Sequence, residues 1–361
     1  MNGAFALYRY PYASEYTLLV QTSGEPLILS SCEGLEGKSG FVFAPFRHAA
    51  GHPFLLLNPD IVERRAVNCL IDFDASPFHR RDIDGERHRY EKVFLRFHEK
   101  LNKGEFSKIV LSRYSEEESV LPLDCEKLFM RACVLYPRMF IALVSMPQCG
   151  TWLMATPEIL LESNEGAWHT MALAGTMRIN ECNDSDVQLA ERKNAGDVHE
   201  WSVKNIREQE YVSTYIKDCL RDCSSHAVNE IGPYTARAGF VKHLRSDFYF
   251  DMDAADIGKL VNKLHPTPAV CGIPKADTYK FICENEAYDR MYYSGFAGPL
   301  NMNKEEGTHL YVTLRCMQID GCKCRLYAGG GLLADSEVYD EWLETEAKMD
   351  TMRRCLSIKR M

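Results

Sequence analysis

Phe140-Ile141-Ala142-Leu143-Val144, Thr151-Trp152-Leu153-Met154-Ala155 and Ile159-Leu160-Leu161-Glu162 are three apolar runs, the last two flanking a turn at Thr156-Pro157-Glu158. Each has the length and apolar content of a strand. Working outward, Lys108-Ile109-Val110-Leu111-Ser112-Arg113 is a further strand, and Glu126 to Leu135 is a predicted helix. A long helical segment is expected from about Asp184 to Cys223, with a break at Gly196. No strict strand–helix–strand rhythm runs through this region. That argues against a doubly wound parallel sheet and for an α+β fold with a large mixed, mainly antiparallel sheet core flanked by helices.

Residues 1 to about 75 carry shorter apolar runs broken by Gly, Pro and Ser: Tyr16–Val20, Leu27–Leu29, Gly40–Phe43 and Phe54–Leu57. A charge-dense stretch from His79 to Arg89 is expected to be an exposed connection. Tyr90, Val93, Phe94, Phe97 and Leu101 then recur at helical spacing, ending near Gly104. The chain is taken as a single domain over 1–361, with a β-rich part over 1–90 and a second region over 90–355.

The 361 residues are enough to bury about three-quarters of the extended surface without staples. Net charge is −9, and no Lys/Arg stripe with interleaved aromatics appears, so nucleic acid is not expected as a partner. The first ten residues lack a basic segment followed by an apolar core, and no run is long enough to span a bilayer. A cytoplasmic protein without membrane contact is expected. The fourteen cysteines include no paired CxxC and no CxxC with spaced histidines. Cys69, Cys133, Cys271 and Cys316 stand singly among apolar residues, and Cys322-Lys323-Cys324 follows a turn at Gly321. Reduced thiols are therefore expected, with no structural metal.

The last hundred residues mix glycines with charge: Leu264-His265-Pro266 through Pro274, Tyr288-Asp289-Arg290, Thr313-Leu314-Arg315, Tyr327-Ala328-Gly329-Gly330-Gly331 and Glu341-Trp342-Leu343-Glu344 with Lys348. Exposed backbone N–H groups beside Arg, Lys and paired Glu suit a small, multiply anionic ligand and a hard metal. Taken one at a time these residues are ordinary. Lys108 fits a strand end with its ammonium in water, Glu158 an exposed turn and Glu200 a solvated helix face. Glu344 and Lys348 fit an i,i+4 helix pair, and His265 a buried, satisfied histidine. The chemical alternative makes Lys108 a general base of lowered pKa, Glu158 a general acid and the glutamates oxygen ligands of Mg²⁺. The glycine triplet lacks GxGxxG spacing, so no dinucleotide site is expected.

As a set, these blocks resemble the chorismate-utilising enzymes, and within them the isochorismate synthases. Ala155-Thr156-Pro157-Glu158-Ile159-Leu160-Leu161 and Leu173-Ala174-Gly175-Thr176 add to the likeness, which covers roughly residues 90 to 355. The resemblance implies that Lys108 deprotonates a water attacking C2 of chorismate, while Glu158 protonates the departing C4 hydroxyl. It also implies that Glu200 and Glu344 hold Mg²⁺ against the ring carboxylate, near Gly175 and Thr176. Arg315, the Gly329 N–H and Lys348 would bind the enolpyruvyl carboxylate, and His265 would line the ring.

Relatives that use ammonia usually carry Gln at the position of Lys108, and those with a lysine nucleophile place it where Ala174 stands. Lys108 with Ala174 implies water as nucleophile, a pair shared by isochorismate synthases and salicylate synthases. The short N-terminal part favours the former. No glutaminase subunit is expected, and a monomer is. The residues do not separate menaquinone, siderophore and salicylate pathways. Trp201 where His is usual, Met177 where Arg is common, and Gly-Gly-Gly for Gly-Ala-Gly depart from the family pattern. A binding protein without catalysis is the alternative of a different class. Loss of Lys108, Glu158 or the metal carboxylates would mark it, and all are present.

Overall fold

The computed structural model describes residues 3–68, 78–80, 82–164, 166–178, 201–238, 241–302 and 307–356. Two antiparallel sheets dominate. In the first, the strands lie in the order Gly272–Ile273, Lys108–Ser119, Lys323–Leu332, Cys316–Asp320, Gly150–Thr156, Phe140–Met146, Ala4–Arg9, Glu15–Gln21 and Ile61–Ala66, with Phe78–Arg80 also on Lys108–Ser119. In the second, the order is Asn229–Ala238, Val241–Phe250, Ala167–Arg178, Ile159–Asn164, Thr308–Val312, Phe296–Leu300, Gly40–Ala44, Phe54–Leu57 and Leu27–Leu29. The mixed α+β architecture expected from the runs around Pro157 is the one found. The N-terminal strands extend both sheets.

Facing side chains of the two sheets form an aromatic-rich core that includes Tyr8, Phe41, Phe43, Phe140, Trp152, Tyr311 and Tyr327. Ring stacking is close, at 4.1 Å for Phe140 on Tyr311 and 4.1 Å for Phe43 on Tyr292. The six described α-helices are α1 (Ile83–Asn102), α2 (Cys125–Leu135), α3 (Val203–Arg221), α4 (Ile257–Leu264), α5 (Lys275–Asn285) and α6 (Val338–Leu356). They cover the outer faces. α3 and α4 bury Val212, Ile216, Leu260 and Leu264 against the second sheet, whereas α2 and α6 bury Phe129, Met349 and Met352 against the first. Sheets with apolar residues on both faces need this double cover. No described helix is long and apolar enough to cross a membrane.

The charged stretch after residue 78 differs from expectation. Asp82 caps the N-terminus of α1 by accepting from Gly85 N, so the helix begins before its apolar stripe. Arg80 pairs with Glu86 and Glu346 at 2.6 and 2.8 Å, which ties this segment to α6 instead of leaving it in water. The strands Ala4–Arg9 and Ile61–Ala66 were not expected; the latter is exposed along its whole length and so carries no apolar alternation. The helix expected from Asp184 is seen from Val203 onward, its earlier part lying outside the described residues. The described cysteines are free thiols, and Cys322 does sit in a hairpin turn, with Gly321 at φ +59°.

Candidate active site

Lys108 is not at an exposed strand end. Its strand is paired with Gly272–Ile273 on one edge and Lys323–Leu332 on the other, and its side chain, 0% exposed, leaves the sheet face towards Glu208 of α3. The ammonium lies 2.9 Å from Glu208 Oε1, and Glu208 Oε2 accepts from the Gly175 N–H at 3.2 Å. Burial works to raise the Glu208 carboxyl, but Lys108 and the charges of Lys348 and Lys204 together outweigh it and hold it below the ordinary range. A buried pair of this kind is stable only with both partners present.

Glu158 is buried for a topological reason. The Thr156-Pro157-Glu158 turn carries the chain from the first sheet (Gly150–Thr156) into the second (Ile159–Asn164), so it lies in the interior. Burial pushes the Glu158 carboxyl up to about 7, against the opposing charges of Lys108, Lys348 and Arg315. A carboxyl so placed is protonated in a substantial fraction at neutral pH and can donate a proton.

Glu158 lines a cavity together with Gly175, Thr176, Glu208, His243, Arg315, Gly329 and Lys348. A β-bulge between Ala174 and Thr176 puts Gly175 at φ +69°, where a Cβ would come within 3.0 Å of the Asn205 carbonyl. Only glycine fits there without strain. The Gly175 carbonyl accepts from His243 Nδ1 at 3.0 Å, which leaves Nε2 to accept from the Arg315 guanidinium at 3.0 Å. Burial, then Arg315 and Lys348, push His243 well below its usual pKa, so the ring is neutral and its tautomer is set by these two bonds. The Lys348 ammonium donates to Glu344 Oε1 at 2.6 Å and to the Gly329 carbonyl at 2.9 Å.

Glu341 and Glu344 project from the first turns of α6 towards Gly330. A Cβ on Gly330 would lie 2.9 Å from Glu341 Oε2 and 3.4 Å from Glu344 Oε1, so the two carboxylates converge on the space beside this glycine. Glu341 also accepts from Ser336 Oγ at 2.7 Å and pairs with Lys204 of α3 at 2.5 Å. Burial and the charge of Glu344 raise the Glu341 carboxyl to about 7, with Lys204 and Ser336 pulling it down. These all-oxygen donors fit Mg²⁺, which takes one or two carboxylates and completes its shell with substrate oxygens and water. Glu200 lies outside the described residues, and among those described no three His, Cys, Asp or Glu side chains converge into a preformed metal site.

His265 is a correction. It does not line the cavity; its Nε2–H donates to the Pro45 carbonyl at 3.2 Å and its ring meets Phe296 edge-on at 5.0 Å. Burial lowers it to about 3, so it is neutral, and its bond to Pro45 makes it a satisfied, partly buried histidine. Lys108 does not line the cavity wall either and reaches it through Glu208.

Sequence reasoning missed Glu208, Lys204 and His243. A signal was present. Residues 204, 208, 212 and 216 form one i,i+4 row on α3, where Val212 and Ile216 are core, so Glu208 stands on the apolar stripe. His243 likewise occupies an inward position of Val241–Phe250.

A family model described as chorismate binding enzyme matches residues 71–357. The chain belongs to this family. The isochorismate synthase MenF of Escherichia coli is 29% identical over 257 residues, covering 71% of this chain and 57% of that protein. The salicylate biosynthesis isochorismate synthase of Pseudomonas aeruginosa is 33% identical over 208 residues, covering 57% of this chain and 42% of that protein. The chain thus spans less than two-thirds of the length of these curated relatives. The solved structure of MenF, the menaquinone-specific isochorismate synthase from Escherichia coli, superposes with a TM-score of 0.78 at 21% identity, covering 98% of this chain and 89% of that one. Of the residues that carry the resemblance to these chorismate-binding enzymes, Glu158, Ala174, Gly175, Thr176, Arg315, Gly329 and Lys348 line the cavity, whereas Lys108 and His265 do not.

Proposed function

We propose that this chorismate-binding enzyme is a Mg²⁺-dependent isochorismate synthase. The observation that carries the proposal is Glu158, a buried carboxyl raised to about 7 in a cavity that also holds Arg315 and Lys348. Expelling hydroxide from C4 of chorismate at neutral pH requires a group that is still protonated there. Lys108, in its amine form, takes a proton from water as the water oxygen bonds to C2. The ring double bonds shift, the C4–O bond breaks, and Glu158 gives its proton to the departing hydroxyl, which leaves as water. The Lys108 ammonium formed in this way faces the Glu208 carboxylate at 2.9 Å.

Ala174 lines the cavity and offers no nucleophile of its own, which agrees with water as the attacking group. Arg315, held by His243, and Lys348 supply the positive charge for the enolpyruvyl carboxylate, while Gly175 and Thr176 face the ring carboxylate. Glu344, with Glu341 beside it and Glu200 upstream, would hold Mg²⁺, whose charge offsets that of the ring carboxylate. Incubation with chorismate and Mg²⁺, with products resolved by chromatography beside a Lys108→Ala sample, tests the reading. Isochorismate without pyruvate, formed by the wild type alone, is expected. Salicylate with pyruvate would make it a salicylate synthase, and no conversion would refute catalysis.

A further inference from the structure

We infer that Lys204 is a built-in cation at the candidate metal carboxylates, neutralising them in the metal-free protein and withdrawing when a divalent cation binds. The inference rests on the proposed metal role of Glu341 and Glu344 and adds a competitor to it. Lys204 is the second residue of α3, and its ammonium crosses to α6, 2.5 Å from Glu341 Oε1. The charges of Glu208 and Glu344 act on the same ammonium. Nothing local favours this placement. A lysine in the first turn opposes the helix dipole, and that turn of α3 carries no acidic residue to offset it. The attraction comes from across the site.

The other lysine there is differently bound. Lys348 spans Glu344 and the Gly329 carbonyl, and its side chain is 13% exposed. Lys204 is 27% exposed and sits at a helix end, so its stem can swing the ammonium into water without disturbing a strand. Two carboxylates converging on Gly330, with Glu208 nearby, would repel one another if left bare. An ammonium at Glu341 Oε1 relieves that repulsion, but its positive charge sits on the same carboxylate whose Oε2 faces Gly330, and it opposes a metal cation there. A lysine that merely tied α3 to α6 would affect stability and leave metal affinity unchanged. A competing cation weakens metal binding.

The test is a titration of Mn²⁺, followed by the electron paramagnetic resonance of the free ion, into substrate-free wild type, Lys204→Met, Lys204→Arg and Glu344→Gln. Lys204→Met is expected to bind about tenfold more tightly or better, since an adjacent positive charge has been removed. Lys204→Arg stays near wild type, and Glu344→Gln binds more weakly. Thermal unfolding supplies a second readout: added Mg²⁺ raises the Tm of Lys204→Met more than that of wild type. If Lys204→Met needs the metal to fold, recovery of its near-UV circular dichroism by Mg²⁺ supports the inference, and failure to recover overturns it. Unchanged or weaker binding by Lys204→Met, with Glu344→Gln impaired, refutes the role of Lys204 and leaves the metal reading standing. No binding by any of the four proteins refutes both.

Discussion

Replacing Glu158 with Gln is expected to stabilise the protein while abolishing turnover, and the gain depends on pH. In the folded chain this carboxyl is raised from 4.5 to about 7. At about 1.4 kcal/mol per unit, its ionised form is disfavoured by about 3 kcal/mol relative to the unfolded chain. The folded value lies above the unfolded one. The contribution of Glu158 is therefore fully present below about pH 4.5 and is lost as pH rises through about 7. Gln keeps the shape and cannot ionise. The difference in unfolding free energy between Glu158→Gln and wild type, from urea titrations at a series of pH values, should be small at pH 4.5 and approach about 3 kcal/mol in favour of the variant near pH 8. Taking the difference cancels the other titrating groups. In the wild type, kcat/KM for chorismate should fall as pH rises past about 7, because the acid must be protonated. A stability difference that varies by less than about 0.5 kcal/mol across this range would refute the reasoning. So would a Glu158→Gln enzyme that still turns over.

Glu208→Leu leaves the buried Lys108 ammonium unpaired and should cost about 3–5 kcal/mol in chemical denaturation. Adding Lys108→Met should recover most of that loss, and an additive double variant would argue against the pair. Gly330→Ala places a methyl 2.9 Å from Glu341 Oε2, so the Mg²⁺ concentration needed for half-maximal activity should rise, while an unchanged requirement would move the metal elsewhere. Remote from the cavity, His169 bonds to Glu162 and Asp247 at 2.7 Å each. Burial lowers its pKa, but the carboxylates Asp247 and Glu162 outweigh that and raise it. Its contribution is therefore complete below about pH 6.5 and lost as pH climbs through the folded value. A Tm difference between wild type and His169→Gln that shrinks with rising pH checks this, and a flat difference refutes it.

Much of this protein was legible in the sequence because the signals were local. The strand runs around Pro157, with no strict strand–helix–strand rhythm, argued against a doubly wound parallel sheet, and the motif set from Lys108 to Lys348 marked the family. Gly175 and the glycines at 329–331 stood out because close approach of other groups leaves no room for a Cβ. Other features had no local signature. Ile61–Ala66 is an exposed strand whose place is set by its partner Glu15–Gln21, and the first turns of α1 are polar.

The sequence by itself determined which chemical groups the chain carries, their order, and the apolar runs that become strands. Only the tertiary structure decided their state. Glu158 is an acid because its turn passes between the sheets, and the buried Lys108 has its partner because α3 brings Glu208 over the sheet face. His265 is a satisfied, partly buried histidine because Pro45 supplies its acceptor. Glu208, Lys204 and His243 enter the site only when α3 and Val241–Phe250 close over the bulge at Gly175. Burial and the charge of partners distant in the chain set each of these states, and neither quantity is a property of a residue's neighbours in sequence.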